Sequence, residues 1–255
     1  MPDLTAAAFG DAPSLWPLPP AQNPEQRWLR AVAAAGQGRY ATGFAELAEL
    51  RRSAVGPLLS LAHSTQASLL RQLGWHDRAR GWDARAFALA GTDPAARSDA
   101  LVGLAADALG VGRLATSAAL LAAAGSAADP PRLAVRRAWV SAELAMAGGD
   151  GAAAVAHARH GVELAEPLAS IRHRTKSDVV LAAALCCAGR LDDSRGLADE
   201  LLQRTAAHGL IPLRWAVASL LAGIGSGAHD GPYIEVTRDE AAALVEHRGG
   251  HWQRG

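Results

Sequence analysis

Small and apolar side chains recur along this chain in step with glycine. Gly38, Gly74, Gly112, Gly149, Gly189 and Gly225 stand 36, 38, 37, 40 and 36 residues apart. Seven residues before each is an alanine: Ala31, Ala67, Ala105, Ala142, Ala182 and Ala218. Four before each is Ala or Leu: Ala34, Leu70, Ala108, Ala145, Leu185 and Leu221. Positions seven and four before a glycine share one face of an α-helix, so each stretch predicts a helix that buries one stripe. The glycine then ends the helix in a left-handed residue. A second helix is predicted after each turn. Its fifth position after the first five glycines is small (Gly43, Ala79, Ser117, Ala154, Ser194), which lets two backbones approach closely. One such pair cannot bury both faces, so successive pairs should stack.

Capping residues agree with this division. Asn23-Pro24-Glu25, Asp93-Pro94 and Asp129-Pro130 each put an N-cap type before a proline suited to the first helical turn. Thr237-Arg238-Asp239-Glu240 reads as a capping box opening a last helix, 237–247, that would close the stack. Residues 226–236 read as a loop inserted into the last pair, and Tyr233-Ile234-Glu235-Val236 is the sole strand candidate. Residues 1–22 hold five prolines and little periodicity, and predict a flexible arm. Residues 23–248 form the repeat domain, and 249–255 predict a loose tail.

The pattern resembles the tetratricopeptide repeat. The second unit carries the likeness best, with Ala67, Leu70, Leu73-Gly74-Trp75-His76, Ala79 and Ala86; Gly38-Arg39-Tyr40 and Gly189-Arg190-Leu191 are similar turns. The likeness covers about residues 24–225 and departs from the family in its longer, variable period. It implies an all-α fold, a right-handed superhelix of about six helix pairs, and a binding surface along the first helices. Ten residues before the glycines that surface would present Trp28, Ser64, Val102, Trp139, Val179 and Trp215. The tryptophans then form an aromatic ladder for a ligand, or else pack successive repeats together. The family's basic clamp for a peptide carboxylate has no matching Asn positions here.

Composition narrows the chemistry. Sixty of 255 residues are Ala, the best helix former. The formal charge is zero, which argues against a nucleic-acid binder. No run of about eighteen apolar residues predicts a membrane span. The absence of a basic, apolar leader and the presence of only Cys186 and Cys187 point to a cytoplasmic, reducing setting. Lys176 is the only lysine.

Charges gather at the starts of the predicted first helices, at Arg97, Arg136, Arg137, Arg172, Arg174, Lys176 and Arg214. They suit a groove for an acidic segment, or are ordinary solvated arginines. The leading expectation is a non-catalytic protein- or peptide-binding scaffold using Trp28, Arg71, Arg136, Trp139, Glu143, Lys176 and Trp215, with no cofactor. A second is a regulatory or sensory repeat domain acting on a transcription or signalling partner. A third is a metal protein or enzyme built on His157 and His160, which are spaced i and i+3. Gly148-Gly149-Asp150-Gly151 follows no strand and reads as a turn, Asp192-Asp193 as a helix start, and Cys186-Cys187 as packing. Exposed stack ends leave room for a homodimer.

Overall fold

The computed structural model describes residues 3–125 and 130–253. Every element among them is helical. In chain order these are α1 (Leu4–Phe9), α2 (Pro24–Gly36), α3 (Tyr40–Ser53), α4 (Gly56–Gln72), α5 (His76–Leu89), α6 (Pro94–Gly110) and α7 (Leu114–Ala123). They continue as α8 (Pro131–Ala147), α9 (Gly151–Ala165), α10 (Ile171–Cys187), α11 (Leu191–Ala207), α12 (Ile211–Ile224) and α13 (Gly231–His247). Each helix packs against its neighbour in sequence, and α2, α4, α6, α8, α10 and α12 also pack against one another in succession. The arrangement is that of a helical repeat.

The six glycines of the sequence pattern all have positive φ, between 73° and 89°. At the first five the residue after the glycine donates its backbone N–H five residues back, as Trp75 does to the Leu70 carbonyl at 3.0 Å. This is the bond of a Schellman turn, and it satisfies a carbonyl that the helix end leaves free. Gly225 lacks that bond and runs into a short loop instead. All six alanines seven residues earlier are buried, as are Gly43, Ala79, Ser117, Ala154 and Ser194. A larger side chain at either position would hold the paired helices apart.

Side-chain bonds between the even-numbered helices run at the same interval as the glycines. Trp28 Nε1 donates to Thr65 Oγ1 at 2.9 Å, 37 residues away. Ser64 Oγ donates to Asp99 Oδ2 at 2.6 Å, 35 away, and Arg71 Nη1 to Asp107 Oδ1 at 2.8 Å, 36 away. Trp139 Nε1 donates to Ser177 Oγ at 2.8 Å, 38 away. These polar groups are thus satisfied from one repeat to the next.

Asn23 and Asp93 cap α2 and α6 as expected, accepting from Gln26 N at 2.9 Å and Ala96 N at 2.7 Å. Asp129 lies outside the described residues; α8 begins at Pro131, one residue later than the sequence pattern puts it. The last helix differs more. It starts at Gly231, not Thr237, with the Asp230 side chain accepting from Tyr233 N at 2.9 Å. Ile234, Thr237, Ala241 and Val245 form its buried stripe. The strand candidate Tyr233–Val236 is therefore helical, and the inserted loop shrinks to residues 225–230.

Both ends are fastened rather than loose. Leu4, Ala7 and Ala8 of α1 and Leu18 beyond it bury against Val32, Ala33 and Ala34 of α2. The proline-rich stretch lacks several N–H donors, but its carbonyls are taken up: Gln37 Nε2 donates to Pro13 O and Leu15 O at 2.9 Å each, and Arg30 Nη1 to Leu18 O at 2.9 Å. At the other end, Ala41 N donates to Arg248 O at 2.9 Å, Arg248 Nη1 to Gln37 O at 2.7 Å and Gln253 N to Leu73 O at 2.8 Å. Val245 of α13 shares a core with Tyr40, Leu47 and Leu69. The C-terminal residues therefore return to α2–α5.

Candidate functional site: a charged and aromatic central cavity

A cavity of about 510 Å³ lies between the even-numbered helices, within the range of roughly 300–1,000 Å³ usual for ligand pockets. Trp28 of α2, Arg71 of α4, Arg136, Trp139 and Glu143 of α8, Lys176 of α10 and Trp215 of α12 all line it. The seven residues singled out in the sequence thus meet at one place. The longer repeat does this by returning the same helical face to the inside at each first helix.

The structure divides these residues by what they already hold. Arg71 is bonded to Asp107 at 2.8 Å and also to Asp83, and both carboxylates are fully buried. Burial raises the Asp83 pKa well above its ordinary value; Arg71 opposes this only in part, and the Asp107 charge adds to it. Arg71 thus faces two buried carboxyls, and Asp83 holds its proton more tightly than a free acid would. Arg136 is bonded to Asp99, which also accepts from Ser64 and faces Arg132 at 3.7 Å. Burial acts to raise the Asp99 pKa, but Arg136 and Arg132 outweigh it and keep Asp99 ionised.

Two cavity cations have no carboxylate within ion-pair distance among the described residues. Arg172 reaches only the Val32 carbonyl, at 3.4 Å, and stands 6.0 Å from the Phe9 ring. Its pKa is drawn down to about 10 by burial, with Arg136 adding repulsion. Lys176 lies 4.6 Å over the Trp139 ring. Burial lowers its pKa; Glu143 resists that shift, and Arg136, Arg71 and Arg172 reinforce it. Both side chains are half-buried and line the cavity.

The aromatic rings form one column. Trp28 contacts Phe9 at 5.3 Å, Phe9 contacts His173 at 5.8 Å, and His173 stacks on Trp139 at 5.5 Å. Burial, followed by the repulsion of Arg172, Arg136, Arg132 and Lys176, depresses the His173 pKa well below its usual value, so the ring is neutral. The indole N–H groups of Trp28 and Trp139 are spent on Thr65 and Ser177. These two residues therefore pack repeats together and also present ring surface to the cavity. Trp215 contacts Trp252 of the C-terminal segment at 4.5 Å, with the rings tilted by 31°.

Sequence reasoning missed Phe9, because the arm carrying it has no repeat pattern. It also missed Asp99, whose bonds to Ser64 and Arg136 span about one repeat, and Asp83, which is held by Arg71 of the preceding helix. Asp93-Pro94, opening α6, and the offset of thirteen residues before Gly112 were the signals for placing Asp99 on an inner helix.

The other candidates are not brought together. His157 and His160 are exposed, and His160 Nδ1 faces Glu163 at 3.7 Å. No group of three His, Cys, Asp or Glu suited to a metal occurs among the described residues. Cys186 is half-buried and Cys187 exposed, both as free thiols, and Cys187 Sγ meets the Met146 carbonyl at 3.7 Å. Among the described residues no helix is long and apolar enough to cross a membrane.

Fold and site define an all-helical, repeat-patterned protein with a central pocket of cations and aromatic rings. No protein-family model matches the chain, and no curated protein matches it.

Proposed function

We propose that this chain is a non-catalytic binding module of tetratricopeptide-like type, a right-handed superhelix of six helix pairs (α2/α3 to α12/α13) that takes a short segment of a protein partner into its central cavity. The observation that carries this reading is the convergence of Trp28, Arg71, Arg136, Trp139, Glu143, Lys176 and Trp215 on one 510 Å³ cavity. Concave, largely apolar pockets with a few converging polar groups are where proteins hold ligands.

Filling the cavity tests the reading without disturbing an ion pair. Ala183 lines the cavity and is half-buried, so Ala183→Trp puts bulk into the open space. Short acidic peptides titrated against tryptophan fluorescence should bind the unaltered chain and lose at least about tenfold in affinity for the filled variant. Equal binding by both folded proteins would remove the cavity as the site. Arg136 is the wrong position for this test, because its loss would strand Asp99.

A second reading is favoured by the contact between Trp215 and Trp252. It joins a cavity wall to the C-terminal segment, so an occupant that moves Trp215 also moves residues at the outer surface. A regulatory domain acting on a transcription or signalling partner would use such a link. Hydrogen exchange of residues 248–253 should then change when a ligand binds, and unchanged exchange would count against it.

A further inference from the structure

Not every cation around the cavity is paired. Arg71, Arg132, Arg136, Arg172 and Lys176 all line it. Arg71 holds Asp83 and Asp107, and Arg132 and Arg136 face Asp99. Among the described residues Arg172 and Lys176 have no carboxylate within ion-pair distance. They sit where burial makes charge costly, since an ion removed from water needs a partner of opposite sign.

The position of these two cations is defined. Arg172 and Lys176 are four residues apart on α10, which puts their side chains on one face with about 5–6 Å between Cβ atoms. Like charges at that spacing repel, and Arg136 of α8 adds to the repulsion on both. Beside the pair run the rings of Phe9, His173 and Trp139. His173 stays neutral and contributes no charge to the balance. Phe9 of α1 lines the cavity from near one terminus, and Trp252 contacts its lining residue Trp215 from near the other.

Resting on the reading of this cavity as a binding site, we infer that its occupant is a compact organic dianion with a flat apolar body. Its charged group sits between Arg172 and Lys176, and its body lies along Trp139 and Phe9. A phosphate monoester supplies such a charge in one group, about −1.5 to −2 at neutral pH, with oxygens that accept from both cations. Two neighbouring carboxylates supply it in another form. The occupant completes the ion pairs that the protein itself leaves open, and the guanidinium of Arg172 suits a forked acceptor.

Probes that differ in charge but share a ring test this. Phenyl phosphate, benzoate and benzyl alcohol are titrated by calorimetry and tryptophan fluorescence, with inorganic phosphate as the probe lacking a ring. Expected affinity falls in the order phenyl phosphate, benzoate, benzyl alcohol, with about tenfold or more between the first two and weaker binding of inorganic phosphate than of phenyl phosphate. Lys176→Gln should remove most of the preference for phenyl phosphate over benzoate, and Lys176→Arg should keep it. A short peptide bearing phosphotyrosine, run beside free phenyl phosphate, tells whether the dianion comes on a polypeptide. Tighter binding of the peptide assigns a peptide source, and weaker binding assigns a free small molecule.

Equal binding of phenyl phosphate and benzyl alcohol would overturn the charge assignment while leaving the cavity as a site. No binding of any ring probe, and no effect of Ala183→Trp, would overturn the cavity reading itself. A thermal melt guards against misfolding: Lys176→Gln removes a half-buried charge with no ion-pair partner, so its unliganded midpoint should equal or exceed that of the unaltered protein. A clear drop would mean that Lys176 holds the fold, and would overturn its assignment to a ligand.

Discussion

Arg71 and Lys176 both project into the same cavity from even-numbered helices, yet the protein treats them in opposite ways. Around Arg71 two buried carboxyls from α5 and α6 close on the guanidinium, and burial raises the pKa of Asp83. Around Lys176 the nearest partner is the face of an indole, and the surrounding charges are mostly of its own sign. In the first cluster the cation is paired, and the pairs join three helices. The second is incomplete and faces open space. A cation can thus lie on the inner surface of a repeat and still be structural; whether its charge is already answered decides which.

The largest way to break this contrast is Arg71→Leu. It leaves Asp83 and Asp107 buried with no cation, and removing one partner of a buried ion pair costs about 3–5 kcal/mol. Urea unfolding should show that loss, whereas Lys176→Gln should show none. A loss below about 1 kcal/mol for Arg71→Leu would mean that the cluster contributes little.

Gly103→Ala should come next. Alanine is the better helix former by about 1 kcal/mol, but a Cβ at Gly103 lands on the Asp83 carboxyl. Crowding a filled core costs about 1–3 kcal/mol, so the clash should win and the variant should be less stable. A gain in the unfolding midpoint would refute this packing.

Acid should separate the regions further. The His63 pKa is lowered to about 4, first by burial and then by Arg51 and Arg85, and that of His173 is lowered well below its ordinary value. For a base whose folded pKa is depressed, folding favours the neutral form. Stability is therefore full above the unfolded value near 6.5 and is lost as pH falls from there towards 4. Asp83 has the opposite sign: its raised folded pKa favours the protonated form, so its contribution is present at low pH and fades as pH rises through that pKa. Melting midpoints should fall from pH 7 to pH 4, and His63→Gln should flatten part of the slope. An unchanged slope in that variant would show that His63 does not titrate on unfolding.

The smallest effect sharpens the comparison most. Asp83→Asn mimics the protonated acid and should cost no more than about 1 kcal/mol at neutral pH. Asp99→Asn removes a charge that Arg136 and Arg132 need, and should cost more. Equal costs at the two positions would mean that Asp83 is ionised after all.

Much of this was readable without coordinates. Glycine and alanine in fixed register located the helix ends and the closely packed contacts, because a left-handed turn tolerates few residues and a tight helix crossing admits only small ones. The inner-facing residues were readable too, since a fixed offset from each turn marks one helical face. The start of α13 was misjudged because Thr237-Arg238-Asp239-Glu240 has the form of a cap, and burial of Ile234 and Thr237 outweighed that local preference.

Sequence by itself determined the helical repeat, the positions of its turns and the set of side chains facing inward, all of which follow from local backbone geometry and helical periodicity. Tertiary structure alone decided that the termini close on the stack, that Phe9 joins the cavity, and that Arg71 and Arg136 are paired while Arg172 and Lys176 are not. Those outcomes depend on which groups meet across one or more repeats, and on how far each is removed from water. Neither quantity is carried by the spacing of residues along the chain.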